Sequence, residues 1–141
     1  MINRLKAPLF VALLFSTTAS FAAGETPSQA FVEIHKKELA AKSYEDLLPI
    51  RSKASIAQDP PMTDAEKADI FPFFHETLPR VVTVTGETIE GNKATIKATA
   101  EPNEPLKPGE TETTTGVISM VLEDGEWKIE KESWNSSSER K

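Results

Sequence analysis

Residues 81–100 read VVTVTGETIE-GN-KATIKATA, and this stretch decides the fold. Val81–Ile89 is rich in valine and threonine, whose branched Cβ atoms suit a pleated, half-buried surface. Gly91-Asn92 occupies the position of a two-residue hairpin turn. Lys93–Ala100 then alternates. Ala94, Ile96, Ala98 and Ala100 fall on one face, and Lys93, Thr95, Lys97 and Thr99 on the other. A period of two with one apolar and one polar face predicts an antiparallel hairpin with one side buried and one side wet.

Downstream, Glu101–Glu112 is a connection with Pro102, Pro105, Pro108 and Gly109, long for a hairpin loop. Thr113–Glu123 predicts a third strand, Asp124-Gly125 a second tight turn, and Glu126–Trp134 a fourth strand. Trp127 and Ile129 share one parity and Trp134 has the other, which predicts a bulge or twist near the strand's end. Trp127 is expected in the core beside Ile129, and residues 135–141 as a frayed polar tail.

Upstream, the period is helical. Thr26-Pro27-Ser28-Gln29 combines a cap, a first-turn proline and a glutamine at the capping-box position. The helix it starts is expected to run to about Ala41, with Ala30, Phe31, Ile34, Leu39 and Ala41 on its apolar side. Ser43 can cap a short second helix through Leu48, with Pro49 near its end, and residues 50–58 are helical or irregular. Thr63 and Glu66 form a second capping box after the Asp59-Pro60-Pro61 break. Pro72 is expected to kink or interrupt the helix that follows, and Pro79 closes it. Helices first and a four-stranded antiparallel meander second imply an α+β domain, with the helices covering the apolar face of the sheet.

Residues 1–22 have the three parts of a secretory signal peptide. Arg4 and Lys6 are basic, Leu9–Phe15 is apolar, and Ser16–Ala22 is small and polar, with cleavage expected after Ala22. The apolar run is too short to span a bilayer. These features predict an exported protein, periplasmic or extracellular. The chain has no cysteine, so disulfides, a lipoprotein anchor and thiolate metal sites are excluded. Removing Arg4 and Lys6 takes the formal charge from −6 to −8. No basic stripe offsets this, so nucleic acid and anionic membranes are poor partners. Two histidines forty residues apart, no Gly-rich phosphate loop, no carboxylate-rich calcium loop and no G-x-S-x-G predict neither metal, cofactor nor serine nucleophile.

Three segments resemble the NTF2-like superfamily, also called cystatin-like, and more narrowly small exported bacterial members related to the lumazine-binding-like family of unknown function. They are T-P-x-x-A-F (Thr26 to Phe31), S-Y-E-D-L-L-P (Ser43 to Pro49) and G-x-I-x-M-V-L-E-D-G-E-W-K-I-E-K-E-S-W (Gly116 to Trp134). The resemblance covers residues 26–134 and implies a cone-shaped α+β fold with any pocket between the first helix and the concave sheet. It does not imply one activity, because the superfamily holds isomerases, dehydratases, transport adaptors and binding modules.

On that first helix His35 and Glu38 fall in the apolar stripe, three residues apart and therefore neighbours. A partly buried His–carboxylate pair can orient a ligand or move a proton. Tyr44, the only tyrosine, could present its hydroxyl at the pocket mouth. His35, Glu38 and Tyr44 are the candidate ligand-binding residues. The expected function is a non-catalytic module for a small apolar or ring-containing ligand. The alternatives are a protein-interaction or inhibitor domain, including a homodimer through the sheet, and an isomerase- or dehydratase-type enzyme built on His35 and Glu38.

Overall fold

Two hairpins joined by the 101–109 loop make one four-stranded antiparallel sheet in the order β1-β2-β3-β4. The strands are β1 (Val82–Glu90), β2 (Lys93–Ala100), β3 (Glu110–Glu123) and β4 (Glu126–Arg140). The computed structural model describes residues 24–141, and the expected leader lies outside the described residues. The helical layer comes first: α1 (Pro27–Ala40), a 3-10 helix (Tyr44–Ile50), α2 (Lys53–Ala57) and α3 (Asp64–Thr77). The α+β architecture is the one expected.

Local rules explain most of these boundaries. Both capping boxes form, with Gln29 N donating to Thr26 Oγ1 at 3.2 Å and Glu66 N to Thr63 Oγ1 at 3.2 Å. The β3–β4 turn holds Asp124 at φ 51° and Gly125 at φ 80°, the paired positive values of a two-residue hairpin turn. Pro72 does not interrupt α3. Pro72 and Ala68, whose carbonyl loses its intrahelical donor, are both solvent-exposed, so water can satisfy that carbonyl. The expected polar tail is not frayed: β4 continues to Arg140, pairing Ser136 with Thr114 and Arg140 with Glu110. The third strand correspondingly begins at Glu110 rather than Thr113, because the two polar segments satisfy each other's backbone.

Each hairpin carries one irregularity. Between Val84 and Gly86 the β1–β2 register shifts, leaving Thr85 as the extra residue. Between β3 and β4, Ser119 pairs with Lys131 but Met120 pairs with Ile129, so Glu130 is extra. This is the bulge that the tryptophan parity predicted. Below it Trp127 and Ile129 face the core, and above it Glu132 and Trp134 take over the inward face.

The core lies between α1 and the inner face of β2, β3 and β4. Phe31, Ile96 and Ile118 are fully buried and Met120 nearly so. Each such side chain contributes about 1.5–3 kcal/mol of transfer free energy. Glu87 of β1 fastens α1 to the sheet by accepting hydrogen bonds from Ser28 N and Ser28 Oγ, both 2.8 Å. A carboxylate there also complements the positive end of the helix dipole.

Candidate functional site

The side of α1 that packs on the sheet carries Phe31, Ile34, His35 and Glu38, all buried. His35 and Glu38 are 3% and 4% exposed, less than most of the apolar core. The structure brings them together: His35 Nδ1 lies 3.2 Å from Glu38 Oε2. The other ring nitrogen, Nε2, lies 2.7 Å from the Pro79 carbonyl oxygen. A carbonyl can only accept, so Nε2 carries the hydrogen. In neutral His35 the Nδ1 lone pair therefore faces the Glu38 carboxylate. Phe31 lies against the imidazole, with ring centroids 5.8 Å apart.

The bulge at Glu130 adds a third member. It turns Glu132 inward, and one donor atom of each of His35, Glu38 and Glu132 lies within 4.8 Å of the others. Trp134 Nε1 donates to Glu132 Oε1 at 2.6 Å and so aims the carboxyl. The indole can lie there only because its strand partner is Gly116. A Cβ at that position would sit 2.5 Å from Trp134 Cζ3. Burial raises the Glu132 carboxyl to about 8, and the nearby Glu38 charge reinforces it against the Trp134 hydrogen bond. Burial opposes charge on His35. The hydrogen bonds to Glu38 and the Pro79 carbonyl outweigh it and leave the imidazole above its ordinary value.

Tyr44 is not part of this group. It starts the 3-10 helix and belongs to a second polar cluster, where its hydroxyl donates to the Asp59 carboxylate. Arg51 grips the same carboxylate with both terminal nitrogens, at 2.7 and 2.8 Å, and donates to the Tyr44 hydroxyl at 3.3 Å. Ser55 accepts from the guanidinium through Oγ and its carbonyl, and Lys67 Nζ sits 5.4 Å from the centre of the Tyr44 ring. Every polar atom of the cluster thus holds the 3-10 helix, α2 and the Asp59 break together. His75 likewise has a packing role: it stacks on Phe71 with centroids 5.4 Å apart and bonds the Leu39 carbonyl at 2.9 Å.

Neither polar cluster lines the larger cavity. A space of about 790 Å³ opens between one face of α1, the 3-10 helix and the tip of the β3–β4 hairpin. Ala30, Ile34, Ile50, Leu122 and Trp127 form its apolar wall, with Lys37 and Lys128 among the charges at its rim. It lies between the first helix and the sheet and runs along α1 from Pro27 to Lys37, but neither His35 nor Glu38 lines it. A second cavity of about 470 Å³ runs between the 101–107 loop and Trp134.

Sequence reasoning missed Glu132. The signal was present, because Glu132 has the parity of Trp134 and any bulge that turns the indole inward turns the carboxylate with it.

Among the described residues no helix is long and apolar enough to cross a membrane. No protein-family model and no curated protein matches the chain. Among solved structures it is similar to a de novo designed protein with a curved β-sheet, at 17% identity and a TM-score of 0.46 over 77% of this chain and 95% of that one. It is also similar to an NTF2-like protein of unknown function from Shewanella baltica OS155, at 13% identity and a TM-score of 0.48 over 81% of this chain and 98% of that one.

Proposed function

We propose that this protein is an exported, non-catalytic module of NTF2-like type that holds a small, largely apolar or ring-containing ligand between α1 and the sheet. The observation that carries the reading is the cavity of about 790 Å³ walled by Ile34, Ile50, Leu122 and Trp127. Its size and its mix of apolar wall and charged rim are those of small-molecule sites. The indole of Trp127 offers a flat surface for a ring. Export is supported by the leader pattern of residues 1–22. The enzymatic alternative is weaker on geometry, because His35 and Glu38 pair with each other but line neither cavity.

Native mass spectrometry on protein exported and gently purified from its own host tests this reading. The expected species is a chain beginning at Ala23 and carrying a reproducible small adduct. Leu122→Trp, which fills the cavity, should abolish the adduct while His35→Gln leaves it in place. A bare monomer would overturn the ligand reading. A bare homodimer would replace it with the interaction reading, for which the exposed Ile70 and Phe73 of α3 are the first surface to examine.

A further inference from the structure

We propose that His35 Nδ1, Glu38 and Glu132 form a binding site for one divalent transition-metal ion of the zinc class. Three independent features support it. The first is donor chemistry. An imidazole nitrogen with two carboxylates suits zinc and its neighbours, whereas calcium and magnesium prefer oxygen alone. The second is orientation. Metal-bound histidines characteristically donate their other ring N–H to a carbonyl or carboxylate, and His35 Nε2 does so to the Pro79 carbonyl at 2.7 Å. Ligating carboxylates are held in the same way, and Trp134 Nε1 holds Glu132 at 2.6 Å. Both outer partners leave the inward-facing donor atoms free to converge.

The third feature is charge. Among the described residues no lysine or arginine forms an ion pair with Glu38 or Glu132; their cationic partner is at most His35. Two acceptors, the His35 Nδ1 lone pair and Glu38 Oε2, meet at 3.2 Å in a site shielded from water. Such a contact needs a positive centre between its members, either a proton or a metal ion. Tetrahedral zinc, with ligands at 2.0–2.1 Å, separates them by about 3.3 Å, close to the spacing already present. The remaining donors, within 4.8 Å, need only small rotations to join. A second oxygen of either carboxylate, or a water reaching the half-buried Glu132, can complete four-coordination. The ligand cavity described above is lined by none of these three residues, so the metal site stands or falls independently of it.

The test is titration of the exported, EDTA-stripped protein with zinc chloride by isothermal calorimetry, alongside thermal unfolding. One ion per chain and a saturable rise in melting temperature are expected. Glu132→Gln and His35→Gln should each weaken binding by more than about a hundredfold, beyond the range of outer-partner changes. Trp134→Phe should weaken it about tenfold, and His75→Gln, outside the site, should leave it unchanged. Cobalt(II) bound to the unaltered chain requires no substitution to be tolerated. It should show the visible bands of a low-coordinate nitrogen–oxygen site. No saturable heat, unchanged binding in Glu132→Gln, loss of binding in His75→Gln, or a six-coordinate cobalt spectrum would each overturn the assignment.

Discussion

Two polar clusters lie at the edges of the same core, and they balance charge in opposite ways. Around Asp59 the arrangement is closed: a bidentate guanidinium and a phenol satisfy one carboxylate, a serine accepts from the guanidinium, and the Arg51 hydrogen bonds hold Asp59 below its ordinary range. Around Glu132 it is open: two carboxylates lie by one histidine, among the described residues no lysine or arginine pairs with either, and the Glu132 carboxyl is driven up to about 8. The first pattern is that of a brace. The second remains in place only if a proton or a cation joins it. A cluster that is self-sufficient needs no function to explain it, whereas one that is short of positive charge does.

The largest expected effect exploits the opposite signs of the two clusters. In the chelated protein, Glu132 has a folded value above its unfolded one, so its contribution to stability is full below about pH 4.5 and is lost as pH rises through 8. His35, also raised, acts in the same direction at higher pH than its ordinary value. Asp59, lowered, contributes above its unfolded value and loses that contribution as pH falls through the folded one. Denaturant unfolding with EDTA present should therefore show stability declining between pH 5 and 8.5, by on the order of 3 kcal/mol. Glu132→Gln should flatten that limb alone, and Asp59→Asn should flatten only the acid limb. A wild-type profile that is level from pH 5 to 8.5 would erase the contrast between the clusters.

A smaller effect tests what aims Glu132. Gly116→Ala places a Cβ within 3 Å of three Trp134 ring atoms, so the indole must leave the position from which it binds Glu132. Overpacking of this kind costs about 2 kcal/mol. The alkaline limb should shift with it, because the hydrogen bond from Trp134 favours the charged carboxylate. A Gly116→Ala protein with unchanged stability and an unchanged limb would show that Trp134 does not position the carboxyl.

The contrast also accounts for what could be read from the sequence. Hairpins, capping boxes and the parity break at Trp134 depend on residues within a few positions of one another, and all are found where they were expected. His35 and Glu38 met for the same reason, since α1 sets their spacing. Glu132 reaches them from 94 positions away through a one-residue register shift, which no local pattern quantifies. The Tyr44 brace depends on Arg51 and Asp59, 7 and 15 positions on, across a segment with no regular period. The continuation of β4 to Arg140 was hidden because Ser136 to Ser138 look like a tail until Glu110 to Thr115 supply a partner strand.

The smallest effect tests the closed cluster. Tyr44→Phe removes one hydroxyl from an arrangement in which Arg51 already binds both oxygens of Asp59. The ring remains, and with it the contact to Lys67. The loss should be that of a single hydrogen bond, about 0.5–1 kcal/mol, with the acid limb of the pH profile retained because Arg51 continues to hold Asp59 down. If Tyr44→Phe instead abolished that limb, the phenol rather than the guanidinium would be the group that fixes Asp59. The cluster would then resemble its counterpart at Glu132, in which a carboxylate's state depends on a proton held nearby.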